Sequence, residues 1–489
     1  MKKSILQYAV CFIALVMLIG PDLCSAGEYK GYKLLATDIP IGTTQRHEWH
    51  PWVEYNSVND EFMVVWNTSG KIREDCTPGA DYECTHSFHD VMGQIVSSKG
   101  KLLGGPITIS PVEGPNENVS WKSMVRHAYN PFMNEYMVVF SRNILPNNPQ
   151  LKNLIERVRM DHDGQNILAL GPLMNPTPYN ASHPDIAFNS VDKTWLVVYN
   201  DKIWRGQGFA SDFDNVGYTL GETGNILTGP FPIGLTVGSK FAPHLDYNPT
   251  DNTYLIAWEE WLYGPVGQPW FTRPSECYGA LLRGDGVTID NITIIDDYGT
   301  EDAGFQIAPC VIYNPDMNEF LILEGDSKPS LIGVPGNQGG ILGKIILADG
   351  TPKGPEFVAF DTKGRQGSVK GVYVPQEKRY FIVFEDGRDY IPPTPPPMYG
   401  GVSDIYAIWL KPDGKPVAKE FPIFVGEGHQ TMPSVAYSPV TDSILIAWRD
   451  ENAPGDFTPV PGGGQMASEV KADVKGAILI RCEHQQCKD

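Results

Sequence analysis

The sequence predicts an all-β protein built from seven repeats of four strands each. The main observation is a short pattern, first seen at Tyr55–Trp66, in which an aromatic anchor residue is followed seven positions later by an apolar run. The seven anchors are Tyr55, Tyr129, Phe188, Tyr247, Tyr313, Tyr373 and Tyr437. Fixed spacing inside each copy and looser spacing between copies are typical of a repeat architecture. The apolar runs are short and rich in β-branched and aromatic residues, and 41 Pro and 50 Gly are spread along the chain, which disfavours helices.

The first half of each repeat predicts two strands joined by a tight turn. The first strand ends at the anchor, as in Pro51–Tyr55, and a polar turn such as residues 248–252 follows. The second strand is the apolar run, such as Trp195–Tyr199, which does not alternate between apolar and polar residues. A continuous apolar run predicts that both faces of the sheet are covered.

The second half of each repeat predicts a third strand with a small residue at its centre and a fourth strand after a glycine turn. Because glycine weakens a strand interior, its recurrence predicts close packing against a neighbouring element. The central residues are Gly93, Arg157, Gly217, Gly279, Gly343, Ala407 and Gly476, of which only Arg157 is large. Four of the turns are Asp-Gly, a strong hairpin signal.

The seventh repeat lacks a fourth strand, because little chain follows Gly476. Lys33–Gly42 matches the pattern of Lys101–Ser110, the fourth strand of repeat 1. The sequence therefore predicts that the N-terminal strand completes the last sheet, which closes a ring without exposed terminal edges.

This arrangement resembles a seven-bladed β-propeller, and in particular the propellers of exported bacterial repeat proteins. The resemblance covers Lys33–Cys482 and implies one domain over residues 27–489. The Trp-Asp, paired-glycine and Ser-x-Asp-x-Gly motifs of other propeller groups are absent, so it implies no particular enzyme family. Binding roles are common in the group that it resembles.

The N-terminus predicts export. Lys2 and Lys3 precede the apolar run Ile5–Ile19, and Cys24-Ser25-Ala26 offers a cleavage site before Gly27, so residues 1–26 are predicted to be a signal peptide. A retained membrane helix and a lipid-modified Cys24 are the alternatives. The expected location is periplasmic or extracellular.

Export also predicts local disulfides. Cys76 with Cys84 and Cys482 with Cys487 are the expected pairs, whereas Cys277 and Cys310 fall on predicted strands and are left unpaired or as weak partners. A metal site at Cys76 and Cys84 with nearby histidines is the less favoured alternative.

The formal net charge of −20 bears on partners. A strongly acidic surface disfavours nucleic acids and anionic membranes. It suits solubility and divalent cations such as calcium, although no motif predicts a cofactor or a metal site. Asp161–Gly164 resembles the start of a calcium loop, but it lies where other repeats have a hairpin turn and lacks the distal Glu, so a turn is predicted.

The connections between second and third strands are long in every repeat, and they share one end of the predicted propeller. Long loops on one rim of a rigid scaffold are where function usually resides. The loops carry many carboxylates and aromatic residues, which together suit the binding of sugar rings. A pair of carboxylates can also cleave a glycosidic bond. The candidate catalytic acids are Glu259, Glu385 and Asp450, and the candidate ligand-binding aromatic residues are Trp261, Trp270 and Tyr390. Acids that cap strand ends and aromatics that pack their own loops are the alternative.

A second candidate site lies three residues before each anchor, where side chains should ring the mouth of the channel. These residues are Trp52, Arg126, Asp185, His244, Cys310, Lys370 and Ser434. We expect Trp52, Arg126, Asp185, His244 and Lys370 to bind a ligand, because such a ring can hold a small anion or support acid–base chemistry. An internally paired, hydrated channel is the alternative.

The leading functional prediction is an exported, non-catalytic binding or scaffold propeller that recognises a glycan or protein partner through its long-loop face. The alternative is a carbohydrate-active hydrolase or lyase with carboxylates from several repeats at the channel mouth. The oligomeric state is not predicted.

Overall fold

The computed structural model contains strands and turns and no helix within the residues that it describes. These are residues 28–29, 31–43, 48–69, 89–111, 122–143, 153–173, 181–203, 212–234, 238–261, 275–286, 289–294, 306–326, 337–388, 403–451 and 472–482. Within these ranges no helix long and apolar enough to cross a membrane is found.

The strands of the described residues account for all of the regular structure. In chain order they are β1 (Glu28–Tyr29), β2 (Tyr32–Gly42), β3 (Glu48–Asn56), β4 (Glu61–Ser69), β5 (His89–Ser97), β6 (Leu102–Ser110), β7 (Lys122–Asn130), β8 (Glu135–Asn143), β9 (Asn153–Asp161), β10 (Ile167–Leu173), β11 (Ser182–Asn189), β12 (Thr194–Ile203), β13 (Asp212–Gly221), β14 (Ile226–Ile233), β15 (Ser239–Asn248), β16 (Thr253–Trp261), β17 (Ser275–Arg283), β18 (Ile289–Ile294), β19 (Gln306–Asn314), β20 (Glu319–Asp326), β21 (Asn337–Leu347), β22 (Phe357–Phe360), β23 (Gly364–Val374), β24 (Arg379–Asp386), β25 (Asp404–Leu410), β26 (Phe421–Phe424), β27 (His429–Ser438), β28 (Ser443–Glu451) and β29 (Ala472–Arg481).

The predicted four-stranded repeats are present. Repeats 1 to 4 are the antiparallel sheets β3–β6, β7–β10, β11–β14 and β15–β18. Repeats 5 and 6 are β19–β22 and β23–β26, and a short parallel contact between β21 and β23 joins them. The first strands β3, β7, β11, β15, β19, β23 and β27 contact one another in this order, and β27 also contacts β3.

The sheet of repeat 7 contains strands from both ends of the described chain, as predicted. Its order is β1-β2-β29-β28-β27, and β2 pairs antiparallel with β29. Leu34 lies opposite Leu479 and Ile39 opposite Gly476. Lys475 Nζ also donates to Asp38 Oδ1 across 2.7 Å.

The second strands form the centre of the core, as their continuous apolar runs predict. All nine residues of β16 and all nine of β28 are buried. The largest buried side chains include Trp66, Trp195 and Trp258 on second strands. The apolar clusters reach from sheet to sheet, and one of them joins Ile41 and Leu445 of repeat 7 to Trp66 of repeat 1.

The small residues of the third strands make room for side chains of the fourth strands. A Cβ atom on Gly217 would lie 2.3 Å from the Phe231 ring, and one on Gly343 would lie 2.8 Å from Phe357. In repeat 2, Arg157 instead donates to the carbonyl oxygens of Gly171 at 3.1 Å and Gly224 at 2.6 Å. The prediction of close packing is confirmed, and the neighbour is the fourth strand of the same sheet.

The cysteines and long loops are described only in part. Cys277 and Cys310 are both buried. Cys76, Cys84 and Cys487 lie outside the described residues, so both disulfides stay predictions. Most of each long connection between second and third strands also lies outside them, including Trp270 and Tyr390.

Candidate active site at the first strands

A bulge interrupts every pairing of a first strand with its second strand. In each repeat the register shifts between the residues six and three positions before the anchor, for example between Trp49 and Trp52. Of the two residues between them, the one five positions before the anchor has a positive φ in all seven repeats: His50, Met124, His183, Ala242, Ala308, Ser368 and Met432. Such a bulge bends the strand and redirects its side chains. The backbone of non-glycine residues adopts this conformation only where its surroundings impose it.

The predicted ring residues converge around Trp52. The Arg126 guanidinium lies 4.1 Å from the centre of the Trp52 ring, and the Lys370 ammonium lies 5.9 Å from it. The His244 ring is 5.7 Å from the same indole. These four side chains come from repeats 1, 2, 4 and 6, so their contacts cross the space between the first strands. Each cation over the indole is stabilised by the negative face of the ring.

Three carboxyl groups face this cluster and influence one another. Burial, together with the nearby Asp185 and Asp246, raises the pKa of Glu54 to about 8. Burial also raises the pKa of Asp185 to about 6, against the opposing effect of Arg126, and that of Asp246 to about 6. At neutral pH, Glu54 is therefore mostly protonated while the two aspartates are mostly ionised.

The basic groups are shifted in the opposite direction by the same burial. Burial lowers the pKa of Arg126 and of Lys370, and Asp185 partly opposes this in both cases. Burial, Lys370 and Arg126 together hold the pKa of His244 well below its usual range, so this imidazole is neutral at physiological pH.

Several ring side chains also join one sheet to the next. Asp185 Oδ2 accepts a hydrogen bond from the Leu245 amide at 2.9 Å, and His244 Nδ1 accepts one from the Val311 amide at 3.2 Å. The neutral His244 therefore carries its proton on Nε2. Ser434 Oγ in repeat 7 accepts from the amide of Val53 in repeat 1 at 3.0 Å. Arg126 is different, because within the described part of the chain its Nη1 donates to the carbonyl oxygen of its own neighbour Val125, at 2.8 Å, and not to another sheet. Cys310 completes the described ring as a buried thiol whose pKa burial raises to about 11.

Glu259, at the end of the second strand of repeat 4, reaches the same cluster. Its Oε1 accepts a hydrogen bond from the amide of Ala308, and its Oε2 accepts one from Trp261 Nε1 at 3.3 Å. Burial raises the pKa of Glu259 to about 7, and Lys370 opposes the shift. Lys370 therefore connects Glu259 electrostatically to Asp185 and Arg126.

The other two predicted catalytic acids have different surroundings. Glu385 occupies the same place in repeat 6 as Glu259 does in repeat 4, and its Oε1 accepts from the Met432 amide at 2.6 Å. Its electrostatic neighbours are Arg449 and Glu451. Asp450 accepts from Gln430 Nε2 at 2.8 Å and is influenced by Lys475 and Asp38 on the last sheet. The prediction that the three acids share one site is therefore not carried forward, and only Glu259 joins the ring.

Glu54 and Asp246 are the site residues that sequence reasoning missed. Each lies one residue before its anchor, two positions after a ring residue. Because alternate residues of a strand point to the same face, the ring pattern implied that these carboxylates share the channel face. That period of two was the signal that could have found them.

Comparison with known proteins identifies no family. No protein-family model matches the chain, and no curated protein matches its sequence. Among solved structures, a protein of unknown function from Dyadobacter fermentans aligns over 93% of this chain and 100% of its own, with 11% identity and a TM-score of 0.51. The GH93 α-L-arabinofuranosidase of Fusarium graminearum with arabinobiose covers 73% of this chain and 92% of its own, with 13% identity and a TM-score of 0.46.

The endosialidase of phage phi92 covers 92% of this chain and 69% of its own, with 11% identity and a TM-score of 0.47. At such identities the likeness concerns the fold alone. Together with the antiparallel four-stranded sheets, it gives the chain a β-propeller architecture. The finer resemblance, to propellers of exported bacterial repeat proteins, stays a prediction.

Proposed function

We propose that the chain is a glycoside hydrolase whose active site lies where the first strands meet, at the end that carries the long loops. The observation that carries this proposal is the convergence on Trp52 of Arg126, His244 and Lys370, with buried carboxyl groups of differing acidity around them. Glycosidic bond cleavage needs one carboxylic acid that donates a proton and one carboxylate that is ionised.

The prediction of a non-catalytic binding or scaffold protein is corrected here. The similar solved structures with a stated activity are an arabinofuranosidase and an endosialidase, which are carbohydrate-cleaving enzymes. The alternative prediction of a carbohydrate-active enzyme agrees better with these findings. The residues of this chain, rather than those distant structures, supply the mechanism below.

Glu259 is the proposed general acid, and Asp185 is the proposed general base or nucleophile. A pKa of about 7 leaves Glu259 partly protonated at neutral pH, which suits a group that donates a proton and is then reprotonated. Arg126 and the Leu245 amide favour the ionised form of Asp185. Burial raises the pKa of Glu259 to about 7 and that of Asp185 to about 6, so at neutral pH Glu259 is the more protonated of the two, in the order that an acid–base pair needs.

Arg126 and Lys370 are the proposed substrate-binding cations. Both lie over the Trp52 ring, and Arg126 keeps further N–H donors that can reach hydroxyl or acidic groups of a glycan. His244 and Ser434 serve mainly as positioning residues, because their side chains hold backbone amides of the next repeat.

The test compares two variants of equivalent acids. Glu259→Gln and Glu385→Gln change acids at matching positions, each of which accepts a backbone amide of the following repeat. The purified full-length protein is assayed for new reducing ends on a panel of neutral and acidic polysaccharides that includes arabinan and polysialic acid. We expect Glu259→Gln to lose about a hundredfold or more of kcat, while Glu385→Gln keeps most activity.

Three outcomes would overturn the assignment. Equal activity losses in the two variants, with equal melting temperatures, would show that Glu259 has no special role. A wild-type protein that binds glycans on an array but releases no reducing ends would remove hydrolysis as the function. Unsaturated products would assign a lyase in place of a hydrolase.

We also infer that the seven sheets form a closed, seven-bladed ring within one domain of an exported protein. Support for closure comes from the contact of β27 with β3 and the hydrogen bond from Val53 to Ser434. Support for export comes only from the pattern of Met1–Ala26, which lies outside the described residues. Mass spectrometry of the protein recovered from its native host should find Gly27 at the N-terminus, and an intact Met1 would remove that part.

A further inference from the structure

A cavity of about 580 Å³ opens beside two of the short hairpin turns. It lies between repeats 1 and 2, where the turn after β3 meets the turn after β9. Apolar side chains such as Ile95, Leu103 and Ile107 line it, together with the polar residues Glu61 and Asp163. The size is that of a pocket for a small organic ligand and exceeds what a bare ion needs.

Glu61 is the unusual residue of this cavity. Only 8% of its surface is exposed, and its Oε1 atom is buried without a hydrogen-bond partner in the described part of the chain. Asn59 provides a side-chain hydrogen bond to the carboxyl group, while His162 and Asp163 of the next repeat influence it electrostatically in opposite directions. A buried carboxyl oxygen without a donor is costly unless a partner arrives.

The equivalent glutamates of two other repeats pair with a lysine or arginine, which Glu61 does not do among the described residues. Glu135 in repeat 2 lies 3.2 Å from Arg159 Nε, and Glu319 in repeat 5 lies 2.6 Å from Lys353 Nζ. The methionine two residues after the glutamate lies opposite Ile95 in repeat 1 and opposite Arg159 in repeat 2. Ile95 therefore occupies the position that Arg159 has in repeat 2. Repeat 1 therefore keeps the acid and replaces its cation with an apolar wall and open space.

We propose that this cavity binds an organic cation, namely a protonated amine on an apolar stem, with the ammonium group at Glu61 and Asp163. The stem lies along Ile95, Leu103 and Ile107, which line the same cavity. Next to Leu103 the wall is open, because a Cβ atom on Gly104 or Gly105 would have no neighbour within 4 Å. The lysine side chain of a peptide and a free alkylamine share this chemistry.

The turn Asp161–Gly164 supplies the acidic side of the cavity without forming a calcium loop. The Gly164 amide donates to the Asp161 carbonyl oxygen at 3.1 Å, and Gly164 has a φ of +71°. These features confirm the predicted hairpin turn. Asp161 itself is held by Asn166, whose amide lies 3.0 Å from Asp161 Oδ1. Asp163 lines the cavity, and its Oδ1 accepts a hydrogen bond from the Gln165 amide at 3.1 Å.

Calorimetric titration of the full chain with n-butylamine hydrochloride tests the proposal, with n-butanol as the neutral probe of similar shape. We expect the amine to bind and butanol to bind at least tenfold more weakly, because a charge-assisted hydrogen bond is lost. Glu61→Gln should weaken amine binding about tenfold or more. The matched control Glu135→Gln, in the next repeat, should leave it unchanged.

A second variant places a positively charged side chain of the protein itself next to Glu61. Ile95→Arg reproduces the arrangement of repeat 2 and should abolish amine binding while the protein stays folded. Amine binding that survives both Glu61→Gln and Ile95→Arg would overturn the proposal. Calcium binding at the site that is lost in Glu61→Gln, without any amine binding, would assign a metal ion and overturn it equally. An outcome here does not depend on whether the chain hydrolyses glycans.

Discussion

Much of what strand β2 contributes to the stability of the protein should come from one side chain, Ile41. This residue is 2% exposed and packs in the cluster that joins the last sheet to Trp66 of repeat 1. It also fills the space left by Gly476, where an added Cβ would lie 2.6 Å from Ile41 Cδ1. If β2 completes the last sheet as the pairing indicates, shortening this side chain opens a cavity at the junction between the first and last repeats.

The expected magnitude follows from what Ile41→Ala removes. Three buried carbon atoms at about 0.8 kcal/mol each give about 2.4 kcal/mol for lost burial. The cavity that remains raises the total to about 3–4 kcal/mol, within the range of about 2–5 kcal/mol seen for such changes. Leu35→Ala on the same strand is the control, because Leu35 is 44% exposed and should change the free energy of unfolding by less than about 0.5 kcal/mol.

Urea unfolding at equilibrium measures both variants, with tryptophan fluorescence as the signal and recovery on dilution as the check of reversibility. A chain of this size can unfold irreversibly, in which case unfolding rates at fixed temperature replace the equilibrium values. The reasoning is refuted if Ile41→Ala costs no more than Leu35→Ala, since Ile41 would then contribute nothing to the apolar cluster between the last sheet and repeat 1.

Two further predictions concern buried charges. The folded protein raises the pKa of Glu54 to about 8, so folding favours the protonated form of this group. Its contribution to the free energy of unfolding is therefore present at acidic pH and declines as pH rises from about 5 to 8. Glu54→Gln should flatten the pH dependence of the melting temperature across that window, and an unchanged slope would contradict the assignment. Lys240, fully buried beside Asp214 at 2.9 Å, should cost about 3–5 kcal/mol when changed to Met, because the Asp214 charge is left buried. The matched control is Lys415→Met, because Lys415 belongs to a surface ion pair and 71% of its side chain is exposed. This change should alter the free energy of unfolding by less than about 1 kcal/mol. Equal effects of the two changes would refute the reasoning.

The repeats could be predicted from the sequence because their signals are local. A five-residue apolar run such as Trp195–Tyr199 identifies a doubly covered strand without reference to any partner. The pairing of β2 with β29 was also predictable, because the last repeat visibly lacks a strand and Lys33–Gly42 has the pattern of a fourth strand. The bulges were not predictable, since residues as different as His50, Met124 and Ala308 adopt the same positive φ.

The candidate site could be predicted only in part. Spacing from the anchors identified Trp52, Arg126, Asp185, His244 and Lys370 as neighbours around one space. It could not tell which side chains touch, because contacts across that space depend on side-chain reach and bulge geometry rather than on order along the chain. Glu385 and Glu259 have the same place in the pattern, yet Glu259 has Lys370 as an electrostatic neighbour, whereas Glu385 influences Arg449 and Glu451. The prediction of a non-catalytic protein was wrong because the pattern shows positions of acids and not their protonation.

The pairing of β2 with β29 has a consequence for how the protein is made. Lys475 and Asp38 meet although 437 residues separate them. A ribosome synthesises the outer edge of the last sheet first and its remaining strands last. During synthesis β2 can pair with β1 but not with β29, so the last sheet cannot form until β29 has been made. Loop closure over so long a span makes this a slow step.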